Sequence, residues 1–260
     1  MNAGGEMQKT VVTGGGGFIG AALVRALVGR GIEVTVIGRN PYPDLVALGV
    51  RCVRGDIREP GCLAEALSDC DTVFHVAAKA GIWGPKAEYF AINSGGTANV
   101  IAACQAHKVE RLVYTSTPSV VFDQNDLAGV DESMPYAVRP LCAYAASKIL
   151  AEQAVLAANG PELRTIAIRP HLVWGPGDGH LIPRLLERGR AGALKIVGTG
   201  DNRVDIAFID NVVHAHLLAA ENLGADGSGA GQAFFIGQEA PVVLWQWING
   251  LFARLGIEPV

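Results

Sequence analysis

The chain has 260 residues, half of them hydrophobic and 18% charged, with 33 Gly and a mean hydropathy of +0.27. That is too apolar for intrinsic disorder, and the glycines lack the period of a collagen. A net charge of −4, a pI near 5.9 and no Lys/Arg block leave no footprint for nucleic acid.

Strand-like and helix-like patterns alternate from the N-terminus. A β-branched run at 10–13 ends in glycines. Ile19, Leu23, Ala26 and Leu27 then mark one face of a helix over 18–28, closed by Gly29 and Gly31. Further strands are expected at 33–37, 50–53, 72–76, 111–115 and 165–169, and helices at 63–67, 97–106 and 144–156. Nearly continuous apolar strands separated by helices imply a parallel sheet covered on both faces. This is the doubly wound α/β, or Rossmann, class. After a loop at 175–179, a helix over 181–190 turns Leu185 and Leu186 inward. A strand at 204–208, a helix at 210–220 returning to the main sheet, a glycine-rich turn at 224–231, a strand at 234–236 and a helix at 244–255 complete the chain. The expected organisation is a dinucleotide-binding domain over 8–175 and 204–222. A small substrate-binding region covers 176–203 and 223–260 and reads as truncated.

Five cysteines at wide spacing, without a C-x-x-C, read as reduced thiols of a cytoplasmic protein. Residues 1–7 are too short and too polar for a signal peptide, and no apolar run is long enough for a membrane span. The six histidines lack zinc spacing, so no metal is expected. His214 and His216, two apart on a helix, read as structural.

Gly14, Gly17 and Gly20 form G-x-x-G-x-x-G between the first strand and the first helix. The first glycine permits the tight turn, the second lets backbone N–H groups approach a pyrophosphate, and the third lets helix pack on strand. With Phe18 and Ile19 in the first helical turn, this loop is the candidate dinucleotide cradle. An acid ending the second strand would bind the ribose 2′-OH of NAD. Gly38 stands there and Arg39 follows, which favours the 2′-phosphate of NADP(H) while leaving NAD(H) admissible; a solvated surface arginine is the alternative. Asp56 and Ile57, after the third strand, are placed to meet adenine.

Tyr144 and Lys148 stand at i and i+4 and share a helical face. The cation is expected beside the phenol, depressing its pKa so that it exchanges a proton with a carbinol or carbonyl oxygen. A hydroxyl cluster, Thr115, Ser116 and Thr117, follows a strand upstream.

Together, TGGGGFIG (13–20), GDI (55–57), HVAA (75–78), YTSTPSVVF (114–122), YAASK (144–148) and IRPHLVWGPGD (168–178) resemble an extended short-chain dehydrogenase/reductase over nearly the whole chain. The resemblance implies that Tyr144 is the proton donor and acceptor, and that Lys148 holds the nicotinamide ribose. Thr117 then stands where the family usually has serine, Ala77 and Ala78 line the cofactor, and Pro170 meets the nicotinamide. The stretches LIPRLLER and NRVDIAFIDNVVHAHLLAAE (202–221) are similar to the 3β-hydroxysteroid dehydrogenase branch. Within that branch the chain resembles the decarboxylating sterol-4-carboxylate 3-dehydrogenases and, through AAKAGIWG (77–84), the bacterial 2-alkyl-3-oxoalkanoate reductases. The family often dimerises through helices like 97–107 and 144–156, so a homodimer is open.

The implied function is NAD(P)-dependent interconversion of a 3-hydroxy and a 3-oxo group on a small hydrophobic substrate, a 2-alkyl-3-oxo acid or a steroid-like ring. The alternatives are a nucleotide-sugar epimerase or dehydratase and a non-catalytic NADP-sensing module. Leu172 occupies the place where the sugar enzymes usually carry Asn, and the intact Tyr144–Lys148 pair argues for catalysis. A substrate carboxylate needs a charged or hydrogen-bonding partner. His171 and Lys79 are the candidates, with Trp83 and Trp174 as an apolar wall.

Overall fold

A computed structural model describes residues 7–260. Residues 1–6, within the segment read as too short for a signal peptide, lie outside the described residues. The main strands are β1 (Lys9–Thr13), β2 (Glu33–Gly38), β3 (Arg51–Arg54), β4 (Thr72–His75), β5 (Arg111–Thr115) and β6 (Arg164–Pro170). Short β7 (Val173–Trp174), β8 (Arg203–Val204) and β9 (Ala207–Phe208) precede β10 (Ala233–Ile236) and β11 (Val242–Val243). The helices are α1 (Phe18–Gly29), α2 (Pro43–Val46), α3 (Pro60–Leu67), α4 (Lys86–Tyr89), α5 (Gly96–Ala106), α6 (Ala143–Ala157), α7 (Leu181–Arg190), α8 (Ile209–Gly224) and α9 (Leu244–Arg254).

Seven strands form one parallel sheet in the order β10-β6-β5-β4-β1-β2-β3. The order reverses at β1, which pairs with β2 on one side and β4 on the other. Thr13 lies opposite both Ile37 and His75. In an open α/β sheet, ligands bind in the crevice at the carboxyl ends of the strands where the order reverses. The glycine-rich loop leaves β1 there, and Ala77–Ala78 leave β4 beside it.

The strands are apolar on both faces because both are covered. Val12, Phe74, Val113, Ile166 and Ile168 pack with Leu23, Val24 and Leu27 of α1 and Leu217 and Leu223 of α8. On the other face Val11, Val73, Leu112 and Ala167 meet Leu63 and Leu67 of α3, Val100 and Cys104 of α5, and Ala151 and Val155 of α6.

Two local expectations are corrected and a third is extended. The strand at 204–208 divides into β8, antiparallel to β11, and β9, parallel to β7. Between them the Asp205 carbonyl accepts a hydrogen bond from His171 Nδ1, so it is diverted from any ladder. The strand ending at Ile236, placed in the substrate region from sequence, pairs with β6 and extends the main sheet. The helix expected over 97–106 is preceded by α4 and a π-helical turn, Phe90–Gly95. Its glycines and Asn conceal the helical period from a sequence pattern.

Candidate active site

The glycine-rich loop holds its shape through backbone bonds. Gly14 N–H donates to Ile37 O at 2.9 Å, and Gly17 N–H to Gly14 O at 2.9 Å. Gly14 has φ +71°, and a Cβ there would lie 2.8 Å from Ala77 Cα, so only glycine lets β1 and β4 converge. Helix α1 starts at Phe18 with no side-chain cap and no acid in its first turn. Its leading N–H groups and positive dipole end are thus available to an anion, which fits the pyrophosphate of a dinucleotide.

Behind the loop lies a buried polar chain that sequence reading did not find. His75 Nδ1 is 2.7 Å from Thr13 Oγ1, and Nε2 is 2.8 Å from Thr97 Oγ1. Thr97 donates its hydroxyl proton to Asn93 O at 2.6 Å. Nε2–H must therefore be the donor to Thr97, and Nδ1 accepts from Thr13. Burial, and secondarily Lys148, hold the His75 pKa down to about 3, so the ring is neutral. Thr13 Oγ1 in turn accepts from Ala77 N–H at 3.2 Å. Asn93, in the π-helical turn, pins the next loop: it accepts from Lys79 N–H (2.7 Å) and donates to Lys79 O (3.1 Å) and Ser147 Oγ (3.0 Å). Ser147 donates to Tyr144 O at 2.8 Å. One chain of hydrogen bonds thus links the glycine loop to the helix carrying Tyr144. A π-bulge interrupting a helix is frequent at functional sites.

Tyr144 and Lys148 stand on the first two turns of α6, and Thr117 lies just past β5. The structure brings the Tyr144 and Thr117 hydroxyls together. Burial raises the Tyr144 pKa, and the hydrogen bond with Thr117 lowers it. Here one expectation is corrected: Lys148 does not depress the phenol. Its Nζ donates to Thr115 O at 2.6 Å and sits 4.1 Å above the Tyr114 ring, drawn by a carbonyl and a π face. Burial pushes Lys148 down to about 7, opposed by the Glu152 carboxylate. Below the strand, His216 accepts from Thr115 Oγ1 at 2.7 Å and donates to Val212 O at 2.7 Å, a structural role. Thr117 Oγ1 also donates to Ser119 Oγ at 3.2 Å and accepts from Ser119 N–H at 3.3 Å.

Two other side-chain arrangements escaped the sequence reading. Glu152, one turn beyond Lys148, is fully buried and receives Arg169 through Nε (3.1 and 3.2 Å) and Nη2 (2.5 Å), plus the Tyr136 hydroxyl (2.9 Å). Its i+4 spacing from Lys148 was a visible signal; the polar Arg169 within apolar TIAIR was another. Tyr42 lies over Gly16 and Gly38.

Past the end of β2, Arg39 is exposed and its carbonyl accepts from Arg54 Nε at 3.2 Å. The Asp56 carboxylate is held by Arg58 at 2.7 and 3.0 Å, and that guanidinium, with a weaker effect of Arg39, keeps its pKa low. Ile57 is buried against Gly96. Pro170 ends β6.

The substrate candidates are not gathered by any contact. Lys79 Nζ pairs with Glu88 at 3.1 Å and lies 5.2 Å from the Tyr89 ring centroid. Trp83 is 86% exposed. His171 is half-buried and engaged by the Asp205 carbonyl. Trp174 packs edge-on against Phe208 and Trp247 at 5.1 and 5.3 Å, its indole N–H buried without a partner. Leu172 has φ +38°, a backbone state that Asn tolerates better than Leu. Two cavities lie beside α7 and α9. One of about 680 Å³ is lined by Gly175, Asp178, Ile182, Leu186 and Arg190, and one of about 220 Å³ by Trp174, Trp247, Leu251 and Arg254. Neither is lined by Tyr144 or Lys148. Among the described residues, no cluster of three His, Cys, Asp or Glu could hold a metal, and no helix is long and apolar enough to cross a membrane.

The family described as 3-beta hydroxysteroid dehydrogenase/isomerase matches residues 11–260. The chain is 49% identical to a 2-alkyl-3-oxoalkanoate reductase of Shewanella oneidensis, over 98% of this chain and 68% of that protein. It is 39% identical to the human sterol-4-alpha-carboxylate 3-dehydrogenase, decarboxylating, over 97% of this chain and 68% of that one. Among solved structures, MoeE5 in complex with UDP-glucuronic acid and NAD is similar with a TM-score of 0.81 and 32% identity, covering 96% of this chain and 83% of that chain.

Proposed function

We propose that this chain, which belongs to the 3-beta hydroxysteroid dehydrogenase/isomerase family, is an NAD(P)-dependent oxidoreductase. It interconverts a 3-hydroxy and a 3-oxo group on a hydrophobic substrate, a 2-alkyl-3-oxo acid or a steroid-like ring. The observation that carries the reading is the Thr117–Tyr144 hydroxyl pair beside buried Lys148, two strands from the uncapped glycine loop.

The nicotinamide cofactor, when bound, supplies or accepts the hydride. Gly14, Gly17, Gly20 and the Phe18 and Ile19 amides hold its pyrophosphate. Asp56 and Ile57 border the adenine, Arg39 faces the ribose 2′ position, and Ala77, Ala78 and Pro170 line the inner half. The preferred form is NADP(H), because a guanidinium stands beside the glycine that replaces the acid of an NAD reader.

Thr117 holds the substrate oxygen by a hydrogen bond. Tyr144 gives its proton to that oxygen in reduction and takes it back in oxidation. Burial disfavours the phenolate, and the Thr117 hydrogen bond partly offsets this. Lys148, held by the Thr115 carbonyl, anchors the nicotinamide ribose. Its low pKa lets it lose or regain a proton near neutrality. His171 and Lys79 flank the carboxylate side, and Trp83 and Trp174 the apolar side. Free cysteines support a cytoplasmic setting, in which the chain works alone or as a homodimer.

The test follows NADPH oxidation by the purified chain with a 2-alkyl-3-oxo acid and a 3-oxosteroid, and product chromatography with a UDP-sugar, whose epimerisation or dehydration consumes no NADPH. Turnover of either of the first two is expected. Turnover of the UDP-sugar alone would replace this reading with a nucleotide-sugar activity. NADPH binding without turnover of any would leave a cofactor-sensing module.

A further inference from the structure

The end of β2 is built unlike an NAD-reading corner in more than its missing acid. The Tyr42 ring returns from the loop after β2 and lies over two glycines. A Cβ on Gly16 would overlap the ring. A Cβ on Gly38 would overlap the phenol hydroxyl and lie 2.6 Å from Cε2. Tyr42 is half-buried and packs against the apolar core under α1, so the ring is seated. Across the ladder, Arg54 lies opposite Gly38, and Gly55 N–H donates to Gly38 O at 3.0 Å. The Arg54 Nε bond to the Arg39 carbonyl keeps its guanidinium at this corner. Asp56, two residues beyond Arg54, is already engaged by Arg58. The Tyr42 phenol at Gly38 and the Arg54 guanidinium at the Arg39 carbonyl therefore lie at the corner where a dinucleotide on the glycine loop presents its ribose 2′ substituent, with exposed Arg39 beside them.

We propose that Tyr42 and Arg54 complete, with Arg39, a 2′-phosphate site, and that the seated Tyr42 ring bars an acid from position 38. This rests on the reading of the glycine loop as a dinucleotide site. The phenol donates to a phosphate oxygen, and the two arginines supply charge-assisted bonds. Occupancy of position 38 by an acid and of the corner by the Tyr42 ring are mutually exclusive, so cofactor choice is a property of the pair.

The experiment titrates the purified chain with NADPH and NADH, following ligand fluorescence to obtain both dissociation constants without turnover. Tyr42→Phe and Arg54→Ala should each weaken NADPH about tenfold, the scale of one lost charge-assisted bond, and leave NADH within about twofold. Gly38→Asp alone should bind both cofactors poorly. Gly38→Asp with Tyr42→Ala should bind NADH about tenfold better than Gly38→Asp alone. A ligand-free arm uses thermal unfolding: Gly38→Ala should lower the midpoint in the Tyr42 protein and not in the Tyr42→Ala protein. The proposal is overturned if Tyr42→Phe and Arg54→Ala weaken both cofactors equally or neither. It is also overturned if Gly38→Asp alone binds NADH as well as the double variant does. Failure of the parent chain to bind either dinucleotide would overturn the cofactor reading itself. Normal binding with an unchanged NADPH/NADH ratio in the variants would overturn only this corner.

Discussion

Replacing Arg169 by Met leaves the Glu152 carboxylate fully buried with the Tyr136 hydroxyl as its remaining recorded partner. In the parent chain the guanidinium makes three contacts of 2.5–3.2 Å with that carboxylate. It is only 4% exposed and is flanked by the Phe235 and Tyr136 rings at 5.1 and 5.9 Å. Removing one member of such a buried pair costs about 3–5 kcal/mol, because the other charge is stranded out of water. For a chain of this size that corresponds to a fall of roughly 10 °C in the unfolding midpoint. Replacing both, Arg169→Met with Glu152→Leu, removes both charges, and the Met thioether packs on the two rings. The half-buried Tyr136 hydroxyl then turns to water. The double variant should therefore be more stable than Arg169→Met alone, by about 2 kcal/mol or more. Urea unfolding of the parent, both singles and the double, followed by circular dichroism, measures the coupling. Additive single effects, or a loss under about 1 kcal/mol for Arg169→Met, would mean that water reaches the pair and that it is not the closed ion pair described.

Tyr144→Phe should retain NADPH binding and lose about 10²-fold or more in turnover. Thr117→Val should lose as much or less, and near-normal turnover in Tyr144→Phe would remove the proton-transfer role. Acid should destabilise the fold well before the carboxylates titrate. His75 and His216 are neutral when folded, with pKa values held to about 3 and about 4 by burial, whereas the unfolded chain protonates near 6.5. Their contribution is complete above about pH 6.5 and is lost as pH falls toward 4, several kcal/mol in all at about 1.4 kcal/mol per unit. Urea midpoints that stay flat from pH 7 to pH 4.5 would contradict this. His171→Leu and Lys79→Met, assayed on a 2-alkyl-3-oxo acid and its methyl ester, should penalise the acid selectively wherever the residue meets the carboxylate. Because Lys79 already pairs with Glu88, its effect should be the smaller; equal penalties on acid and ester would withdraw the role.

The parallel sheet was legible because its signal is local and repeated. Strands buried on both faces must be apolar throughout, and runs such as TVFH and RLVYT have no other economical explanation. The glycine loop was legible for a related reason: a turn at φ +71° against Ala77 permits only one residue type. Tyr144 and Lys148 were paired by helical arithmetic. What that arithmetic does not supply is where a flexible side chain ends. Lys148 was expected at the phenol and instead rests on the Thr115 carbonyl over Tyr114, a choice made by β5 and not by its own helix. The chain of hydrogen bonds Thr13–His75–Thr97–Asn93–Ser147 joins four distant segments, and apart from the local Thr97–Asn93 bond only packing brings its links to 3.0 Å or less. Glu152 with Arg169, and Tyr42 with Gly38, are of the same kind. The sequence alone determined the class of fold and singled out a candidate site, because backbone sterics and burial act on neighbours along the chain. The charge states and partners at that location were decided by tertiary structure, because desolvation and hydrogen-bond geometry depend on which residues packing brings together.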